Sequence, residues 1–361
     1  MKVLIVHRPY AQPSGEERVV ETQAAVLQAR GVDVETTTGR GLRAESLRRA
    51  HVDIVHVHQT FPALLPSAYT AATAARVPVV QHLHNARLAC MQPFLVRNGE
   101  HCTDCVGRSP LSGVTHGCYR GSVAASAAAA GVLAVQRATR TWRRVARFVA
   151  VSDAVAATVK TVVPAERVVV CFNGLAADPA PRDPAHDEGY ALFVGRVAPE
   201  KGVDLLLAAA AALPGTRFVI AGDGPERDAL ARSATANVEF LGHVDRARLG
   251  DVMARARVLV TPSRGQEPFG LGVIEAAALG VPSIVTRVGG LPEIVRHDET
   301  GVVVSPFDAV ALADALRTLT QERAQALGAA ARRDYELRFT PTAFADRLLA
   351  IYDDVLGTYA P

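Results

Sequence analysis

Two doubly wound α/β domains, each built on a parallel sheet, are what this sequence predicts. Three observations carry the prediction. Short β-branched runs recur along the 361 residues, and each is followed by a helix-compatible segment. The series is interrupted once, by a stretch rich in proline, aspartate and alanine. The length suits two domains of ordinary size.

The first series of strand-like runs comprises Lys2–His7, Val52–His58, Pro78–His84, Arg147–Ser152 and Arg167–Cys171. The second comprises Tyr190–Val194, Arg217–Ala221, Val238–Leu241, Val258–Thr261, Pro282–Thr286 and Gly301–Val304. Nearly continuous apolar character is expected of parallel strands covered on both faces. Helical patterns lie between them, among them Glu17–Ala29, Val203–Ala212 and Ala309–Leu319. Alternation of strand and helix gives Rossmann-like sheets. Ala176–Gly189, AADPAPRDPAHDEG, lacks apolar periodicity and reads as a linker. The expected domains are therefore residues 1–175 and 190–338, joined by 176–189. A closing helical segment, 339–361, is expected to return to the first domain.

Composition narrows the function. Hydrophobic residues make up 49% and charged residues 21%, so the chain can bury real cores and is not a disordered tail. The net charge of +3 and 5% aromatics argue against general nucleic-acid binding. The charge is unevenly divided: 20 Lys+Arg face 11 Asp+Glu through Asn173, and 19 face 25 in the remainder. A basic first half suits an acidic substrate or peripheral contact with an anionic membrane surface. No apolar run reaches the roughly 18–20 residues that span a bilayer. Ser122–Gln136 is too short, and the opening MKVLIVHRPY reads as a strand, not a signal peptide. A cytoplasmic location is the expectation.

Only three residues of the chain are lysines: Lys2, Lys160 and Lys201. Lys201 falls in a glycine-bounded loop, GRVAPEKG, Gly195–Gly202, between a strand and a helix. An open α/β sheet places such a loop at the carboxyl edge of the strands. There the fixed guanidinium of Arg196, the mobile ammonium of Lys201 and a helix N-terminus suit a diphosphate. The bland alternative is a tight turn with solvated charges. AGDGP, Ala221–Pro225, permits close backbone approach to a ligand, as many turns do.

The segment Ser263–Val295 reads strand end, loop, helix, strand, then a Gly289-Gly290 turn. Glu267 and Glu275 stand eight residues apart, and with a helix from near Phe269 they are separated by about 12 Å. That is comparable to the span from sugar to ribose in a nucleotide sugar, and carboxylates accept from paired sugar hydroxyls. The amides of Phe269, Gly270 and Leu271 at the helix start face the phosphates in this reading.

These motifs resemble those of retaining glycosyltransferase family 4. Ser263–Val295 is similar to its E-x(7)-E element and the GG-x-P-E turn that follows. Gly195–Gly202 looks like its G-R-x(4)-K-G phosphate loop. The likeness covers nearly the whole chain, including Pro13–Val20 (PSGEERVV) and Tyr335–Leu356. It implies a GT-B architecture, two Rossmann-like domains facing a cleft, with the nucleotide sugar held mainly by the second. It further implies a hexosyltransferase-type enzyme that moves a sugar to a hydroxylated acceptor, anionic or lipid-linked ones included, with retention of configuration. In the implied site Arg196 and Lys201 neutralise the pyrophosphate beside Gly195. Glu275 holds the ribose and Glu267 the transferred sugar. Gly242, His243 and Val244 frame the base, Gly15 approaches the leaving phosphate, and His84 reaches the donor sugar. No D-x-D pair is present, so no catalytic divalent metal is expected; fixed cations and a helix N-terminus serve the leaving group.

Two features stand apart. Cys90, Cys102, Cys105 and Cys118 form C-x(11)-C-x(2)-C-x(12)-C inside the polar segment 86–121. A tight knuckle with two outlying thiols suits a closed structural zinc site, with His101 or His116 able to replace one sulfur. Two disulfides or unrelated free thiols are the bland alternatives, and such an insertion resembles that of a subgroup of the family. Arg137, Arg140, Arg144 and Arg147 recur at three- and four-residue spacing, which on one helix makes a basic stripe, either a solvated face or a docking surface for an anionic lipid or phosphorylated acceptor. Competing readings of the whole are a sugar-nucleotide epimerase, a glycosyl phosphorylase, or a non-catalytic nucleotide-sugar scaffold.

Overall fold

The computed structural model describes residues 1–9, 15–58, 66–139 and 141–359, except for the side chains of Pro66 and Arg137. The chain divides into two compact units. The first is Met1–Leu95, Cys102–Ala176 and Thr340–Pro361; the second is Val96–His101 and Ala177–Phe339.

The first unit holds a six-stranded, all-parallel sheet: β1 (Lys2–Val6), β2 (Asp33–Thr37), β3 (Ile54–Val57), β4 (Val79–Leu83), β7 (Val145–Ala150) and β8 (Val168–Val170). Between β4 and β7 the chain forms a two-stranded antiparallel ribbon, β5 (Val96–Arg97) and β6 (Glu100–His101). The sheet order is β2-β1-β3-β4-β7-β8, so the direction of winding reverses between β1 and β3. Helix Gly15–Gln28 buries Val19, Val20, Gln23, Val26 and Leu27, a spacing that keeps one helical face on the core. Helix Pro341–Thr358 buries Phe344, Leu348, Tyr352 and Val355 in the same way. Its start is set by Thr340, whose hydroxyl accepts from Ala343 N, and by Pro341 in the first turn.

In the second unit the strands are β9 (Ala191–Val194), β10 (Phe218–Ala221), β11 (Val238–Gly242), β12 (Val258–Thr261), β13 (Ser283–Thr286) and β14 (Gly301–Val304). Their order, β11-β10-β9-β12-β13-β14, is that of a dinucleotide-binding sheet, with the switch point between β9 and β12. Its core joins Phe193, Phe218, Ile220 and Val260 from the strands to Leu206, Leu312 and Leu327 from the covering helices.

Every strand-like run of the sequence becomes a strand, within one or two residues at the ends. The runs miss β2, because DVETT is polar: an edge strand whose Asp33 and Glu35 are held by Lys2 Nζ at 3.2 and 2.6 Å. The short ribbon β5–β6 also has no apolar signature. The basic stripe is not formed. Its helix ends at Ala138, Arg144 closes a 3-10 turn, and Arg147 lies in β7, bonded to Asp354 at 2.8 Å. Arg140 lies outside the described residues, as do Pro13 and Ser14 of the N-terminal motif.

Candidate functional site

The loops after β9 and β12 leave the sheet on either side of the switch point, and their side chains meet. Lys201 Nζ lies 2.5 Å from Glu267 Oε2, with both side chains more than four-fifths buried. Ser263 donates to the same carboxylate oxygen at 3.2 Å. Arg196 pairs with Glu200 one turn on, yet its side chain is 55% exposed. Glu200 in turn ties the two loops together, because its carbonyl accepts from Arg264 N and Gly265 N at 2.9 and 3.2 Å.

The loop carrying Glu267 is held from behind by the Gly289-Gly290 turn. Gly290 N donates to Glu267 O at 2.8 Å. Gly289 has φ +54°, and a Cβ there would stand 2.1 Å from Glu267 O, so only glycine fits. The glycines of AGDGP serve a similar purpose. A Cβ on Gly222 would stand 1.8 Å from Gly195 O, so this turn packs its backbone on the GRVAPEKG loop. Its close approach within the chain is to the Gly195 carbonyl.

Helix Leu271–Ala278 begins two residues later than expected. Gly270 is its left-handed cap, and Phe269 is buried edge-on against Phe339. No side chain caps this N-terminus. Glu275, half-buried, lies within the helix, while Val273, Ile274 and Ala276 to Ala278 face the core. Gly242 ends β11, its carbonyl accepting from Gly222 N at 2.8 Å, and His243 and Val244 follow with His243 exposed. The structure thus gathers Gly195, Arg196, Lys201, Gly242 to Val244, Glu267, Phe269 to Leu271 and Glu275 along the carboxyl edge of one sheet.

In the first unit, Gly15 is the exposed first residue of the helix after β1. His84 follows β4 and is buried, its Nε2 lying 2.8 Å from His58 Nδ1. It belongs to a column that sequence reasoning missed. His56 and His58 come from β3 and its end, and His82 and His84 from β4 and its end; alternation puts each pair on one face of the sheet. His82 and His84 are stacked with centroids 4.6 Å apart, and His58 and His82 with centroids 5.0 Å apart. Burial, reinforced by like neighbours, holds His56, His58 and His84 well below the usual imidazole range, and burial lowers His82 to about 3. The signal was there as H-x-H in two apolar strands.

All four cysteines of the insertion are free thiols. Cys105 and Cys118 both border Gly113, and the Cys90 thiol is pushed up to about 12, mainly by burial and then by Cys105, Cys118 and Cys102 nearby. A buried thiol among three others is a donor set that a soft dication fits, since its charge reverses the penalty on the thiolates. Cys171 is a core residue beyond this group. Among the described residues, no helix is long and apolar enough to cross a membrane.

Comparison with known proteins bears on the fold and on the second unit. Residues 177–334 match the family model of glycosyl transferases group 1. The glycogen synthase of Mycobacterium tuberculosis is 36% identical over 201 residues, covering 51% of this chain and 48% of that protein. The D-inositol 3-phosphate glycosyltransferase of Mycolicibacterium paratuberculosis is 38% identical over 186 residues, covering 48% and 42%. The chain thus spans about half the length of the curated relatives it matches. Across nearly its full length it shares its fold with GT-B glycosyltransferases. Anabaena HepE in complex with UDP superposes with a TM-score of 0.73 at 20% identity, covering 98% of this chain and 100% of that one. A sucrose-phosphate synthase from Thermosynechococcus elongatus gives 0.73 at 21%, covering 99% of each.

Proposed function

We propose that this protein is a retaining, nucleotide-sugar-dependent glycosyltransferase that moves a hexosyl group to a hydroxylated acceptor. The observation that carries the reading is the Lys201–Glu267 pair at the switch point of the second sheet. A bound nucleotide diphosphate sugar brings an anion for the lysine and hydroxyls for the carboxylate, so both partners exchange one polar contact for another. Arg196, largely exposed, adds a second cation, and the uncapped start of helix Leu271–Ala278 offers amides to the diphosphate. These groups stabilise the leaving phosphate by fixed charge, with no divalent metal required. Glu275 takes the ribose hydroxyls, and Gly242 to Val244 frame the base. UDP and UDP-glucose bound to Anabaena HepE support a donor of that class.

The insertion holds a structural zinc through Cys90, Cys102, Cys105 and Cys118. A four-thiolate site is closed to substrate, so the ion contributes stability and not chemistry.

Thermal melting with UDP, GDP, ADP and dTDP, without added metal, tests the donor assignment. A ligand at about 100 times its Kd stabilises the native state by roughly 2.7 kcal/mol. A rise in Tm with one diphosphate is expected; no response to any of the four overturns the assignment.

A further inference from the structure

The histidine column has a chemistry that sugar transfer through Lys201 and Glu267 does not use. His56, His58 and His82 each offer a ring nitrogen, and these three atoms lie within 4.8 Å of one another. All three side chains are completely buried. His56 is anchored through Nδ1, which lies 2.7 Å from the Tyr352 hydroxyl and 3.0 Å from Gln23 Nε2. His58 is anchored through Nδ1 as well, by His84 Nε2 at 2.8 Å. His82 is anchored through Nδ1, 3.2 Å from His56 Nε2. The outer nitrogens, His58 Nε2 and His82 Nε2, are buried and make no hydrogen bond.

A buried imidazole nitrogen without a partner forgoes a hydrogen bond that water would have supplied. Two side by side need a common explanation. His58 and His82 are each held at Nδ1 and present Nε2, which is the arrangement of a metal ligand, with the outer partner setting tautomer and orientation. His56, held at Nδ1 by Tyr352, ligates by exchanging its Nε2 contact with His82 for the ion. We propose that His56, His58 and His82 form a binding site for a first-row divalent transition ion of the zinc and cobalt class.

Three further features fit. Burial keeps these rings neutral at pH 7, which is the form that ligates. The column lies at the carboxyl end of β3 and β4, beside the β1/β3 switch point, where open α/β sheets place their ligands. Carboxylates stand one ring away: His7 lies edge-on to His58 at 6.1 Å, with Glu16 at 3.5 Å and Glu17 at 3.7 Å from its nitrogens. Ligation has one geometric requirement. Metal–nitrogen bonds of about 2.0–2.1 Å in a tetrahedron bring ligand atoms to about 3.3 Å. The parallel rings of His58 and His82, 10° apart in plane, therefore turn toward each other as the ion binds.

The test uses the full chain, freed of metal with a chelator and then loaded with cobalt(II). Thiolate ligands give cobalt an intense sulfur charge-transfer band and imidazoles do not, so ions on cysteine and on histidine are counted separately after dialysis. We expect one retained equivalent without the sulfur band, lost in both His58→Phe and His82→Phe. A wild-type chain that retains no such equivalent, or one that survives both substitutions, overturns the site. Should either variant lose its circular dichroism signature, the wild-type chain answers alone. Zinc must move the ring-nitrogen NMR signals of three histidines, and unmoved signals overturn the proposal. The readout is metal and not turnover, so it stands or falls apart from the transferase reading.

Discussion

Lys201 and Glu267, 66 residues apart in sequence, close to 2.5 Å because their loops leave adjacent strands at the point where the sheet reverses its winding. Each is mostly buried, so each needs the other or a ligand that replaces it. Lys201→Ala should weaken nucleotide diphosphate binding at least tenfold, as expected from a lost charge-assisted contact of about 1.5–3 kcal/mol. Glu267→Gln keeps the shape of the side chain and should preserve diphosphate affinity while lowering kcat by a factor of about 100 or more. Isothermal titration with the diphosphate, beside single-turnover kinetics, separates the two; unchanged turnover in Glu267→Gln would sink its role.

Gly289 supports the Glu267 backbone from behind its loop. Its φ of +54° and the 2.1 Å that a Cβ would leave to Glu267 O make Gly289→Ala strained and clashing at once. Strain of this kind costs about 1–3 kcal/mol. Urea unfolding should show that loss, together with weaker donor binding because the Glu267 backbone is displaced. A variant as stable and as tight as wild type would refute the buttress.

Acid should unfold the metal-free first unit early. An unfolded histidine takes up its proton near pH 6.5, whereas burial holds His82 at about 3 and His56, His58 and His84 well below 6.5. The unfolded state therefore binds more protons as pH falls. Stability is complete above about 6.5 and is lost below it, by about 1.4 kcal/mol per pH unit for each such ring. Urea midpoints between pH 7 and 5 should fall, and His82→Phe should flatten the slope; an unchanged slope would show that His82 does not titrate as its burial demands.

Chelation should lower the melting temperature of the zinc-loaded chain, and Cys105→Ser should do the same without chelator, since a structural zinc contributes folding energy directly. Metal analysis beside calorimetry decides this. Equal melting with and without chelator would leave the four thiols without a structural ion.

The site in the second unit was legible because its motifs are local. Gly195–Gly202 and Ser263–Val295 each carry strand end, loop and helix start in one stretch, so residue type and spacing place their side chains on one edge. The Lys201–Glu267 contact was not legible, since neither motif states which strands are neighbours. AGDGP showed the same limit: the close approach was readable, but not that Gly195 O is what it approaches. The basic stripe failed for a different reason. Spacing along a chain equals spacing on a helix only while the helix continues, and this one ends at Ala138.

By itself the sequence determined the strand and helix series, the two-part organisation and the loops at the carboxyl edge of the second sheet, because apolar periodicity and glycine-bounded loops act over a few residues. Tertiary structure alone decided which side chains meet. The His58 ring stands beside His82 because β3 and β4 pair in parallel with Val57 opposite Gln81, and a one-residue slip would send one pair of histidines to the other face. Register is a property of two strands together, so neither strand's sequence contains it.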